Sequence, residues 1–302
     1  MYDIIVIGAG PAGLNAALYA LRGGKSVLIL EANNVGGQIA NSPKLENFPT
    51  IKEISGIDFA MQFAEQVESW GGQIEYDQVT AVEKRDDIFY VTTETTQHQA
   101  RAVISAVGVE HKHIHVPREE QLLTKGIYYC ALCDGPFYAD REVALIGDGN
   151  TAMQYAIVLS NICSKVYLLT WMDKFFGDKV LENAIRKKEN IIHMPNTSVT
   201  AFIGTDNLEA VEYKDNVTNE IKKLSVPGAF VAIGQIPKNG IFNKLANLDS
   251  LGYFIASSKM ETATPGFFVA GDCISKPVRQ VATAISDGAI AAVSACAYVD
   301  LF

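Results

Sequence analysis

One turn occurs twice in this chain. The segments "IIVIGAGPAGLNAA" and "VALIGDGNTAMQYA" each join a short apolar run to a glycine loop and a helix-period stretch. An apolar run of that length, stopped by glycine, reads as a parallel strand buried on both faces. Gly8, Gly10 and Gly13 make Gly-x-Gly-x-x-Gly, and Gly147, Gly149 and Ala152 hold the same places in the second copy. The first position serves the tight turn, the second lets backbone approach a pyrophosphate, and the third lets helix and strand pack closely. The helix N-terminus then favours phosphate charge. A second apolar strand follows each loop, one ending at Glu31 and the other at Thr170. Glu31 stands as far beyond Gly8 as Thr170 stands beyond Gly147, so the copies are in register. Glu31 can accept hydrogen bonds from ribose hydroxyls; Thr170 is neutral.

Two such units predict an α/β chain of two Rossmann-like dinucleotide-binding domains, one inserted in the other. The C-terminal "TPGFFVAGDCISKPVRQVATAISDGAIAAVSA" supplies a strand ending at Gly271-Asp272 and a helix, which complete the outer domain. Turn residues in "GVEHKHIHVP" and "AIGQIPKNG" place the joints. The outer domain is expected at 1–113 and 241–302, with 114–240 inserted. Paired short joints permit one domain to rotate against the other.

The 302 residues suffice for two cores, and 48% apolar with 20% charged is a globular composition. A net charge of −9 argues against nucleic acid or an anionic membrane as partner. The apolar "AIAAVSACAYV" reads as too short to span a bilayer. No basic n-region or cleavage site precedes Ile4, so the expected location is the cytoplasm.

Among the five cysteines, Cys163, Cys273 and Cys296 stand alone in apolar surroundings and read as inert. Cys130 and Cys133 form Cys-x-x-Cys, which is a redox dithiol, half of a zinc site or a structural pair. Zinc needs two more ligands. The only candidates are His111, His113 and His115, with no second cysteine pair, so no metal is assigned and redox is favoured. Alternation in "HKHIH" would place those histidines on one face, compatible with a metal, while exposed polar residues at a joint are the plainer reading. Asp134, directly after the pair, is the candidate general acid–base for thiol protons; a turn aspartate before Gly135 is the alternative.

These pieces, with "GGQIANSPKLENFP", "YYCALCDGPFY" and "FVAIGQIP", resemble the low-molecular-weight thioredoxin reductase family over essentially the whole chain. The resemblance implies a homodimer with FAD in the outer domain and the dithiol in the inserted one. Gly8, Gly10, Gly13 and Glu31 would hold the ADP part of FAD, and Gly37, Gln38 and Asn47 would lie near the flavin. Asp272, after Gly271, would hydrogen-bond the ribityl–pyrophosphate region, and Arg279, Gln280 and Val281 would face the isoalloxazine edge. A solvated surface arginine is the other reading of Arg279. Cys133 would lie against the flavin and Cys130 would attack the disulfide of a thioredoxin-like protein.

NADPH-using relatives carry His-Arg-Arg-x-x-x-Arg after the second strand of the inserted unit, where planar guanidinium groups hold the 2′-phosphate. Here the stretch reads Thr170, Trp171, Met172 and, at the last position, Phe176. NADPH is therefore disfavoured. NADH gains nothing, because Thr170 stands where a carboxylate would bind the 2′-hydroxyl. Asp148, inside the loop, adds repulsion toward a pyrophosphate. Trp171, Met172, Phe175 and Phe176 are either apolar filler or a platform stacking a second flavin above Gly147, Gly149 and Ala152.

Three functions follow. The first is an FAD-dependent dithiol–disulfide oxidoreductase whose donor is ferredoxin or a second flavin, similar to ferredoxin-dependent or diflavin-linked members. For ferredoxin, "IRKKEN" offers a basic docking patch or only a solvated helix face. The second is an NADPH enzyme with divergent phosphate contacts. The third is a flavin redox sensor without turnover.

Overall fold

In the computed structural model, which describes residues 1–42 and 45–302, the chain divides into two compact units. Pro43 and Lys44, inside the "GGQIANSPKLENFP" stretch, lie outside the described residues. One unit is Met1–Glu110 with Ile236–Phe302; the other is His111–Gln235. The division falls at His111 rather than at Ile114, and after Gln235 rather than Gly240. It coincides with a two-stranded pairing of Val109–His111 with Gln235–Pro237, where the chain passes between units.

The first unit is built on Tyr2–Ile7, whose neighbours in the sheet are Val27–Glu31 and Gln97–Ser105, both parallel to it. Gln73–Tyr76 and Phe267–Val269 extend the parallel part, and an antiparallel meander of Val79–Arg85 and Ile88–Thr93 closes one edge. Alternate residues serve opposite faces. Ile4 and Val6 pack with Leu14, Ala17 and Ala20 of the helix Pro11–Arg22 and with Ala291, Ala292 and Ala295 of the C-terminal helix. Ile5 and Ile7 pack on the other face with Phe89, Phe242, Phe254 and Phe267. Burial of both faces explains the unbroken apolar run in the sequence.

The C-terminal helix spans Val281–Val299, longer than the run read from sequence. Asp287 and Gly288 bound that run, but the helix passes through them and begins earlier, where Thr283 Oγ1 accepts the Gln280 N–H. By length and mean hydropathy alone it could cross a membrane. Its small-residue face lies instead in the core of the first unit, and Asn15 Nδ2 donates to Ile285 O at 2.8 Å.

The second unit repeats the plan on a smaller scale. Glu142–Ile146 is flanked by Lys165–Leu169 and Ala229–Val231, with Ile191–Met194 and Ile127–Tyr128 at the edges, all parallel. Val143 and Leu145 pack against the helix Asn150–Ser160, while Ala144 and Ile146 pack toward the antiparallel strands Thr197–Ile203, Ala210–Asp215 and Ile221–Ser225.

Candidate active site

The first glycine loop is tightly determined. Gly8 takes φ +104°, and a Cβ there would stand 2.4 Å from Ala106 O. A Cβ at Gly13 would stand 1.8 Å from Gly8 O, so only glycine fits between strand and helix. Gly10 is different: the nearest atom to a Cβ would be 3.9 Å away, which leaves its face open to a ligand. The helix N-terminus above it has no side-chain cap. Glu31 is fixed at the strand end, its Oε2 accepting the Ala9 N–H at 2.7 Å and its Oε1 the Asn33 N–H at 2.9 Å. Two bonds leave further lone pairs of the carboxylate for ribose hydroxyls.

Around this loop the other expected flavin residues gather. The Gly36 N–H donates to Ala9 O at 2.8 Å, and Gly37 lies close to Gly10. Gln38 Nε2 donates to Val109 O at 3.2 Å, and Asn47 Nδ2 to Gln280 Oε1 at 3.0 Å. Gln280 caps the helix that Val281 begins. Arg279 is held rather than freely solvated: its Nε donates to Asp272 O and its Nη2 to Ile274 O, both at 3.1 Å, with the guanidinium 4.2 Å above the Tyr253 ring. Asp272 carries a buried Oδ1 without a hydrogen-bond partner, and burial pushes its carboxyl up. An open glycine face, an uncapped helix and a buried carboxylate oxygen whose one close side-chain partner is a lysine at 3.4 Å fit a dinucleotide such as FAD.

In the second unit Cys130 and Cys133 are joined by a disulfide, with Cα atoms 5.3 Å apart. Cys130 precedes the single turn Ala131–Asp134, and the Cys133 N–H points at Cys130 Sγ at 3.2 Å. Asp134 is buried, its Oδ1 has no partner, and burial raises its carboxyl to about 7. Tyr128 and Tyr138, whose rings meet edge to face at 5.7 Å, lie in its field. Of the lone cysteines, burial pushes Cys163 up to about 11 and Cys273 up to about 12, and raises Cys296. None of the three is activated.

The histidine rings adjoin one another, His113 lying 5.3 Å from the Tyr129 ring and 5.7 Å from His115, although no continuous strand carries them. Extended pairing stops at His111, and His115 takes φ +62°. His111 stacks on Tyr129 at 4.8 Å, and burial and then His113 push its imidazole down to about 4. Tyr129 Oη lies 2.8 Å from His113 Nδ1 and donates to Glu119 Oε1 at 2.9 Å. The buried Glu119 also accepts the N–H groups of Ile114 and His115. Sequence reasoning missed this network, because a single glutamate in a polar stretch carries no burial signal. No group of three metal-ligating side chains occurs among the described residues.

The second glycine loop keeps the geometry of the first. Gly147 takes φ +145° with a would-be Cβ 2.4 Å from Ala232 O, and Gly149, like Gly10, is open. The Phe176 N–H donates to Asp148 O at 2.8 Å, matching the Gly36 bond to Ala9. What differs is charge. Thr170 is fully buried, donates to Met172 O at 2.8 Å and lies 2.9 Å from His193 Nε2, so its hydroxyl is committed. Phe175 stacks on His193 at 4.6 Å and is the filler. Trp171 is 68% exposed and Phe176 55%, with Lys174 Nζ 5.6 Å from the Phe176 ring; filler does not describe them.

Known proteins match this arrangement along its whole length. The family described as Pyridine nucleotide-disulphide oxidoreductase matches residues 2–288. The chain belongs to that family. Thioredoxin reductase from Treponema pallidum is 38% identical over 99% of this chain and 97% of its own length. The crystal structure of thioredoxin reductase from Streptococcus pyogenes, 34% identical, superposes with a TM-score of 0.95 over 100% of this chain and 99% of that one. The atypical thioredoxin reductase TRi from Desulfovibrio vulgaris is 27% identical, with a TM-score of 0.54 over 100% of this chain and 99% of its own. The chain is thus a flavin disulfide oxidoreductase of the thioredoxin reductase type, and that family implies FAD and a thioredoxin partner.

Proposed function

We propose that this reductase takes its electrons from a donor other than NADPH, either ferredoxin or a second flavin stacked at Trp171. The observation that carries the reading is the committed, uncharged Thr170 followed by exposed Trp171, Met172 and Phe176 where a 2′-phosphate needs guanidinium groups. The Gly8–Gly13 loop, Glu31 and Asp272 would hold FAD, which would supply a two-electron reductant. The Cys130–Cys133 disulfide would accept the two electrons and, with two protons, become a dithiol. The Cys133 N–H stabilises negative charge on Cys130 Sγ, which suits Cys130 to attack a thioredoxin-like disulfide. A mixed disulfide forms, Cys133 displaces it, and the Cys130–Cys133 bond closes while the partner leaves as a dithiol. Asp134, protonated below about pH 7, donates a proton to a departing thiolate and recovers one from the next thiol.

A second reading, an NADPH enzyme with divergent contacts, is favoured by the intact geometry of the second glycine loop. Anaerobic titration with NADPH, NADH and reduced ferredoxin, followed by flavin bleaching, separates the two. The expected result is bleaching by ferredoxin, or two flavins per chain, with slow or no bleaching by NADPH. Rapid stoichiometric bleaching by NADPH would sink the proposed donor.

A further inference from the structure

Two side chains absorbed by neither the dithiol nor the glycine loops surround Asp272. Lys276 Nζ stands 2.6 Å from Asp287 Oδ2 and 3.4 Å from Asp272 Oδ1, and the Lys276 and Asp287 side chains are each only 13% exposed. Asp287 Oδ2 also accepts the Gly271 N–H at 3.2 Å, so one carboxylate ties both the ammonium and the backbone of the Gly271–Asp272 turn to the C-terminal helix. A buried ammonium between two carboxylates is retained only where its pairing is good. The ammonium stands nearer to Asp287 than to Asp272, whose Oδ1 is ion-paired with it at 3.4 Å but makes no well-aligned hydrogen bond. We infer that Lys276, anchored by Asp287, is a positioning residue that keeps the Asp272 carboxylate available as acceptor for the ribityl hydroxyls of FAD.

The electrostatics agree with the geometry. Burial pushes Asp272 toward its neutral form, which cannot offer the same acceptor; Lys276 and then Arg279 oppose that, while Asp287 adds to it. Tyr253 and Cys273 are the other titratable groups facing Asp272, and both are raised. The nearest cation is therefore the one whose loss lets Asp272 take up a proton as pH falls.

The inference rests on the flavin and not on the donor, and its test reads flavin retention. FAD release from the holoenzyme is followed by flavin fluorescence after dilution, from about pH 6 to pH 8, for the native chain, Lys276→Gln, Lys276→Arg and Asp287→Asn. Lys276→Gln is expected to weaken retention about tenfold at the alkaline end and more at the acid end, because a charge-assisted interaction is lost. Lys276→Arg should restore a pH profile parallel to the native one, and Asp287→Asn should fall between. Native retention in Lys276→Gln, or weakening by one constant factor at every pH, overturns the inference. A native chain that binds no FAD overturns the flavin reading and this inference together.

Discussion

The two glycine loops are the same construction put to different chemical use. At Gly8 and Gly147 a Cβ would meet the carbonyl of the residue just beyond a strand end, Ala106 or Ala232, at the same 2.4 Å, and in both copies the second glycine is left open. Each returning loop donates one N–H to the residue between the glycines, Gly36 to Ala9 and Phe176 to Asp148. Backbone geometry has been kept while the strand-end group has changed from a carboxylate with spare lone pairs to a hydroxyl already spent on Met172 and His193. A glycine loop therefore reports a shape; the ligand is chosen by the residue at the end of the next strand.

The sharpest break in the comparison is at the third loop position. Gly13→Ala would drive a methyl to 1.8 Å from Gly8 O, whereas the second loop already carries Ala152. Gly13→Ala is expected to abolish FAD retention or folding, measured by flavin content after purification. Ala152→Gly should cost only about 1 kcal/mol, the difference in helix propensity, measured by denaturant unfolding. Comparable losses in the two variants would show that the third position is not where the loops part.

Asp134, which is buried, and Asp272, which is half-buried, sharpen the comparison further. Asp272 has Lys276 and Arg279 beside it, whereas burial acts on Asp134 unopposed and raises it to about 7. Because the folded value is raised, ionisation costs folding free energy. That cost is absent below an unfolded carboxyl value of about 4, grows as pH rises and is complete above about 7. Asp134→Asn should thus raise Tm at pH 8 relative to the native chain and change it little near pH 4. Its disulfide-reductase kcat should fall about a hundredfold, a typical general acid–base contribution, and lose the native decline above about pH 7. An unchanged kcat would make Asp134 a turn residue only.

How much of this was legible depends on the range over which each feature is encoded. Strands, loops and their register lie in contiguous segments with a strong apolar period, and the α/β fold of two dinucleotide-binding domains followed directly. The full length of the C-terminal helix did not, because Asp287 and Gly288 bound the apolar run while the helix continues through them from Val281. Lys276 and Asp287 were passed over because a lone lysine and a lone aspartate read as solvated charges; only the close approach of turn and helix pairs them. Glu119 and Tyr129 were missed for the same reason. The three histidines do come together, but around Tyr129 rather than by strand alternation, since extended pairing ends at His111 and His115 adopts a left-handed backbone. Trp171 and Phe176 were legible as apolar but not as exposed, since exposure depends on what lies over them.

The smallest expected effect reverses the chemical difference between the loops. Trp171→Arg, Met172→Arg and Phe176→Arg together place guanidinium groups at the positions where NADPH-using relatives carry them, on side chains that are exposed and free of the core. Charge-assisted bonds to a 2′-phosphate contribute about 1.5–3 kcal/mol each when well placed, but grafted side chains lack supporting contacts. The triple variant should therefore bleach with NADPH about tenfold faster than the native chain in stopped-flow absorbance, with less gain from NADH. Thr170 is left alone, because its hydroxyl holds the following turn through Met172 O. A tenfold gain would mean that the second loop still accepts a pyrophosphate and that specificity was lost at the strand end alone. No gain, with folding intact, would mean that Asp148 or the loop itself now rejects the nucleotide, and the likeness of the two loops would end at their backbones.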